Sequence, residues 1–272
     1  MNRYLEMICV GNELLIGKTV NTNAHWLAKR ITNLGLNVRR ITVVSDEVDE
    51  IAAAIREAIQ RKPVFIVTTG GLGPTFDDKT LEGAANALGK PLEENKEALG
   101  MVKKTYERYV ADGRIEKFEM TPPRLKMAKL PKGTKPLPNP VGTAPGVLAE
   151  HEGVGLVMLP GVPEEMMAIF DDSVASFLRK IAGDLTFFEA SLDVWGIPES
   201  ELAPTIDKVM HDNPYVYIKS HPKIAEKDHH LELHLSTTSK DSNLARQRIG
   251  RSIAQISEMI KEKSGKVRPA KT

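Results

Sequence analysis

Three times between Leu5 and Gly89, a short apolar run gives way to a stretch whose apolar residues recur at helical spacing. The runs are Leu5–Val10, Val38–Val44 and Val64–Thr69. After the first, Ala24, Leu27, Ile31 and Leu34 mark one face of a helix that Gly35 stops. After the second, Val48, Ile51, Ala52, Ile55 and Ile59 mark another, ended by Pro63. The third run leads to a helix predicted over Lys79–Leu88 and closed by Gly89. Strands that are apolar on both faces must be covered on both faces. The pattern therefore predicts a three-layer α/β/α fold around a mostly parallel sheet. Right-handed crossovers place the strand C-terminal ends on one edge, where open sheets of this kind bind ligands.

The rest of the chain is less regular. Leu99, Val102, Tyr106 and Tyr109 predict a helix over Glu93–Val110. Residues 112–146 contain seven prolines, which excludes long regular elements there. Gly146–Ala149 and Gly155–Leu159 read as a hairpin about Glu152-Gly153, and a helix with Met166, Met167, Phe170, Val174 and Phe177 on its apolar side follows Pro163. A composition shift near Gly183-Asp184 sets a boundary between a domain of residues 1–182 and a smaller α+β domain of residues 183–272. In the second, strands are expected at residues 186–196, Val216–Ser220 and His230–Thr238, with helices over Glu199–Met210 and around Ile249, Ile253, Ile256 and Ile260. Leu231, Leu233 and Leu235 face one way, and His230, Glu232 and His234 the other. The open face of that strand could pair across an interface. The tail GKVRPAKT reads as frayed.

Composition removes several classes of function. A formal net charge of +1 supplies no broad nucleic-acid footprint. The single cysteine, Cys9, forbids an internal disulfide and fits a reducing compartment, as a packed core thiol. No stretch approaches the ~18 apolar residues of a membrane span, and MNRYLEMICVG lacks a signal-peptide h-region. A cytoplasmic protein is expected.

The chemistry lies in the loops. Behind the third strand, Thr69-Gly70-Gly71 keeps side chains away from any ligand approaching the backbone, and Gly73-Pro74 extends the turn. One of Asp77 and Asp78 could cap the next helix; two adjacent acids exceed that need and would suit a hydrated divalent cation bridging phosphate oxygens. The lysine-serine/threonine ending of a Walker A loop is missing. Gly11-Asn12-Glu13, Asn21-Thr22-Asn23, Ser45-Asp46-Glu47 and the long loop Asn139–Gly146, with Gly142, Thr143, Ala144 and Gly146, fall on the same predicted edge. His230 and His234 have a spacing that could hold zinc, but a solvated sheet face explains them more simply.

Taken together, Gly11-Asn12-Glu13-Leu14-Leu15-x-Gly17, Asn21-Thr22-Asn23, the stretch Thr68–Thr80, Asn139–Gly146 and Leu159-Pro160-Gly161-Val162-Pro163-x-Glu165-Met166 resemble the competence-damage-inducible protein (CinA) family. The resemblance covers about residues 3–180 and implies a domain sharing its fold with the molybdopterin-binding domains of molybdenum-cofactor biosynthesis, followed by a KH-like segment. The family's larger domain that deamidates nicotinamide mononucleotide has no counterpart in these residues, so that activity is expected to be absent. The resemblance further implies an ADP-ribose pyrophosphatase giving AMP and ribose 5-phosphate, with a divalent metal (Mg, Mn or Co) and potassium as cofactors. Asp78 matches the functional aspartate of the molybdopterin-binding relatives and Asp46 their second acid; Leu72-Gly73-Pro74-Thr75 departs from their turn.

The leading expectation is thus metal-dependent hydrolysis of a nucleotide diphosphate. Gly70–Gly73 and the helix start at Asn21 would hold the diphosphate, Asp78 with Asp77 or Asp46 the metal, and Asp46 or Glu13 the attacking water. Binding or adenylylating a pterin is the alternative, and a non-enzymatic assembly module a third reading. A homo-oligomer, with a dimer favoured, is expected. Nucleic acid is not, since no Gly-x-x-Gly loop occurs between Glu189 and Ser239, and membrane is not, for want of a long apolar stretch.

Overall fold

The computed structural model describes residues 4–183, 185–223 and 229–270, which divide into two compact units, the second beginning at Gly183 apart from a short earlier segment. The first opens with β1 (Tyr4–Val10), a single turn α1 (Asn12–Leu15), α2 (Thr22–Asn33), β2 (Asn37–Val44), α3 (Val48–Gln60), β3 (Phe65–Thr69) and α4 (Thr80–Leu88). Then come β4 (Leu92–Glu94), α5 (Lys96–Ala111), α6 (Pro122–Lys126), β5 (Lys129–Pro131) and β6 (Lys135–Leu137). The unit ends with β7 (Gly146–His151), β8 (Val154–Leu159), α7 (Pro163–Ile169), a π-helical turn at Phe170–Val174 and α8 (Ala175–Ala182).

Six strands form the main sheet in the order β2-β1-β3-β8-β7-β6. The first four are parallel, with Met7 opposite both Ile41 and Val67, and Val67 opposite Val157. β7 runs antiparallel to β8, and β6 antiparallel to β7. On one face Ile8, Val10 and Ile66 pack with Ile51 and Ile55 of α3 and Ala84 of α4. On the other, the Phe65 ring meets Phe177 at 5.5 Å between centroids, while Trp26 stands edge-on to Phe170 at 5.5 Å. Phe65 and Phe170 are fully buried; each such side chain contributes about 1.5–3 kcal/mol by leaving water. Cys9 is buried with the core, as expected. The β7–β8 hairpin turns through Glu152 (φ 50°) and Gly153 (φ 76°), two successive left-handed residues that suit the twist of an antiparallel pair.

Two expectations for this unit need correction. Glu93 and Glu94 do not start the helix but belong to Leu92–Glu94, which pairs with β5 as a separate two-stranded ribbon. The helix begins at Lys96, where the Asn95 side chain accepts the Ala98 N–H at 3.0 Å. The proline-rich stretch is also less bare than its composition implies, since α6 starts at Pro122 and β5 and β6 are short strands.

The second unit comprises β9 (Thr186–Trp195), α9 (Glu199–Asp212), β10 (Tyr217–Pro222), β11 (His230–Ser239), α10 (Ser242–Glu262) and β12 (Lys266–Pro269). All its strand pairs are antiparallel, in the order β10-β11-β9-β12. The segment expected to be KH-like has the element order β-α-β-β-α-β, a split βαβ arrangement. Leu231, Leu233 and Leu235 meet Ile249, Ile256 and Ile260 of α10 in a separate core. The tail is not frayed at Lys266–Pro269, because Val267 lies opposite the fully buried Val194. β11 is bordered on both sides, so backbone pairing across an interface is left to β10 or β12. The two histidines of β11 pair with carboxylates across the sheet, His230 with Asp193 at 2.9 Å and His234 with Glu189 at 2.9 Å. His230 is not on a wet face but stacks against Trp195 at 4.7 Å and is buried.

Candidate functional site

The site is built where β3 ends. The Gly70 N–H donates to the Leu159 carbonyl at 3.0 Å, so the chain stays in the sheet for one further residue before it turns. Gly70 has φ +98°, and a Cβ there would lie 2.2 Å from the Val10 carbonyl oxygen. Only glycine lets the tips of β1 and β3 close on each other in this way. The buried Thr80 then draws α4 onto the turn: its hydroxyl donates to the Gly70 carbonyl at 2.8 Å and its N–H to the Gly71 carbonyl at 3.0 Å. Among the described residues, the N–H groups of Gly71, Leu72 and Gly73 have no hydrogen-bond acceptor. Successive main-chain donors left free in a turn can hold an anion.

Asp77 and Asp78 do not cap that helix. The residue before it is Lys79, and no side chain caps the helix start. Asp78 Oδ2 instead accepts the Thr75 N–H at 2.8 Å and the Thr75 hydroxyl, while Asp77 accepts the same hydroxyl. That bond from Thr75 holds the Asp77 carboxyl below the usual range. Both acids thus brace the Gly73–Thr75 turn. The residues present do not make a cation cage, and among the described residues no group of three His, Cys, Asp or Glu side chains could hold a metal ion. A divalent ion here would take two protein carboxylates at most and owe its other oxygens to a ligand's phosphates and to water.

The turn divides two recesses. One, of about 300 Å³, has Gly71, Gly73, Leu72, Leu81 and Leu92 in its walls, with the lysines Lys126 and Lys129 and the acids Asp78, Glu82 and Glu94 around them. Lys126 Nζ also donates to the Thr75 carbonyl, which fixes its position over the turn. The other, of about 100 Å³, is lined by Glu13, Asn21, Thr22, Asn23, Thr69, Gly70 and Gly161. Asn21 is the cap of α2, its Oδ1 accepting the Ala24 N–H at 3.0 Å. Asn23 Nδ2 donates to the Gly161 carbonyl at 2.8 Å and ties α2 to the end of β8. Its Oδ1 is buried with no hydrogen-bond partner. Asp46 Oδ2 accepts the Asn12 N–H at 2.8 Å, so these two residues hold the exits of β1 and β2 together. Glu13 folds back over Gly11, where a Cβ would come within 2.5 Å of its carboxylate.

The loop Asn139–Gly146 reaches the same edge because β7 runs antiparallel to β8, so its first residues lie beside the last of β8. Asn139 organises it. Its Oδ1 accepts the Val141 and Gly142 N–H groups at 3.2 and 2.7 Å, and its Nδ2 donates to the Ala144 carbonyl at 2.8 Å and to Glu165 at 2.7 Å. Gly142 is pressed onto Glu165: a Cβ would sit 2.0 Å from the carboxyl carbon. Burial pushes the Glu165 carboxyl up, against the downward pull of Asn139. Gly142, Ala144 and Gly146 are buried, and Thr143 faces a further recess of about 350 Å³ with Lys104 and Arg108. Glu13, Asn21, Thr22, Asn23, Thr69 and Gly70 therefore share one recess, and Gly71, Gly73 and Asp78 the other. Gly11, Asn12, Asp46 and Asp77 support these walls without lining them, and the Gly142–Gly146 loop stands apart from both.

Fold and edge together define an α/β domain with two recesses, one of them ligand-sized, at the C-terminal ends of a mostly parallel sheet. Residues 6–180 match the family described as probable molybdopterin binding domain, and the chain belongs to that family. Protein PAE0875 of Pyrobaculum aerophilum is 46% identical over 262 residues, 95% of each chain. Protein SSO0103 of Saccharolobus solfataricus is 42% identical over 266 residues, 97% of this chain and 94% of its own. Among solved structures the chain is similar to the protein CinA, with unknown function, from Thermoplasma acidophilum. That match is 43% identical with a TM-score of 0.58, and it covers 65% of this chain and 99% of the other. The resemblance to CinA drawn from the loop motifs is thereby upheld.

Proposed function

We propose that the first unit binds a phosphorylated pterin of the molybdopterin kind in the recess of about 300 Å³ at the end of β3. A single observation carries this reading: leucine walls, two lysines, free main-chain N–H groups and carboxylates meet in one recess of a chain that belongs to a molybdopterin-binding family. A pterin phosphate needs each of them. Its flat ring suits Leu72, Leu81 and Leu92, and its phosphate suits Lys126, Lys129 and the Gly71–Gly73 amides. Its pyrimidine edge carries an amino group and a ring N–H, which Glu82 or Glu94 can accept as a pair.

Anaerobic titration calorimetry with molybdopterin tests the reading. Saturable binding is expected, with Lys126→Ala weakening it about tenfold, or about 1.4 kcal/mol. Absence of binding would overturn it. A second reading, metal-dependent hydrolysis of ADP-ribose to AMP and ribose 5-phosphate, is favoured by the small recess beside Asn21–Asn23 and Gly70, where a helix start and a glycine turn face each other. Titration of ADP-ribose with release of AMP that requires a divalent ion and is lost in Glu13→Gln would put this reading first.

A further inference from the structure

We propose that the second unit carries a ligand site of its own, a nucleotide-binding recess between the loop after α9 and the first half of α10. The recess encloses about 630 Å³ and its lining comes from that unit alone, within the roughly 300–1,000 Å³ typical of small-molecule sites. Its chemistry is of three kinds. Val216 and Leu244 give an apolar side, Leu244 being 39% exposed despite its type. Tyr215 gives an aromatic ring, 67% exposed. Arg248 and Arg251, three residues apart on α10, give two positive charges on one helix face.

The arrangement of the cations points to an anion. The Arg248 guanidinium lies over the Tyr215 ring, 4.2 Å from its centroid. Stacking occupies the flat face of a guanidinium and leaves its N–H edge directed outward, so Arg248 is fixed without being used up. Among the described residues neither Arg248 nor Arg251 is paired with a carboxylate. The acid in the lining, Asp212, is bound elsewhere: Lys208 donates to it at 3.1 Å and Gln255 at 2.7 Å. Two uncompensated guanidinium groups beside an open ring and an apolar side select a phosphate joined to a flat heterocycle. The phosphate takes the edges of Arg248 and Arg251, the base lies against Tyr215 and Leu244, and the Gln247 amide offers a donor and an acceptor to the base edge. Free nucleotide fits better than RNA, because a single ring stacks a single base.

The probe is AMP, titrated into the full-length protein with hydrogen exchange read in parallel. Saturable binding is expected, weakened at least tenfold by Arg251→Ala and by Tyr215→Leu. Adenosine and inorganic phosphate should each bind at least tenfold more weakly than AMP. Bound AMP should slow exchange at residues 213–216 and 244–251. Arg251 is exposed, so its loss leaves the core intact. The proposal fails if AMP does not bind, or if Arg251→Ala leaves the affinity unchanged. It also fails if protection appears at residues 70–82 instead, if phosphate alone binds as tightly as AMP, or if an RNA oligonucleotide is preferred to AMP.

Discussion

Glu165 shows how far a residue's surroundings can override its position. It occupies the first turn of α7, where the helix dipole favours a carboxylate. Gly142 nevertheless closes over it, and burial raises its pKa above the ordinary 4.5. The native state therefore holds this proton more tightly than the unfolded chain does, so stability falls as pH rises from about 4.5 through the raised native value and is level above it. Glu165→Gln keeps an acceptor for Asn139 and removes the titration. Thermal melts from about pH 4 to about pH 8 should show a decline in the wild type that the variant lacks. The acid was visible in the Pro-x-Glu-Met string, but its role was not, since only the fold brings positions 139, 142 and 165 together. Purely local features were easier to read. The Asn21 cap depends on a near neighbour, whereas the need for glycine at Gly70 depends on Val10 at the end of another strand, and the turning of Asp77 and Asp78 onto Thr75 follows a loop path that no periodicity records.

Elements with strong period were placed closely by the sequence, and short or edge elements were not. α3 runs over Val48–Gln60 where its isoleucines and alanines predict it, because one apolar stripe meets one sheet face. β12 escaped notice because an edge strand needs few apolar residues, and Lys266, Arg268 and Pro269 disguise the one that matters. Most of β4 was expected as helix because Leu92-Glu93-Glu94 has no alternation of its own; its strand form comes from pairing with β5. If β12 covers Val194 as its register implies, ending the chain at Gly265 exposes that edge of β9. Circular dichroism melts of the shortened chain should then show the second unit unfolding several degrees earlier, as a loss of about 1 kcal/mol does in a domain of this size.

At the scale of the molecule, each unit has its own apolar core, around β1, β3 and β8 in the first and under β9 and β11 in the second. Residues 4–182 expressed alone are therefore expected to melt cooperatively and to keep the molybdopterin titration, while losing the AMP site of α10. Calorimetric melting and the two titrations check this together. No helix among the described residues is long and apolar enough to cross a membrane. The Gly70–Gly73 turn has one more effect. It is a party wall between two rooms, with Gly70 facing one and Gly71 and Gly73 the other. A tenant that pushes this partition enlarges its own room by shrinking its neighbour's, and thermodynamic reciprocity obliges the neighbour to push back by the same free energy.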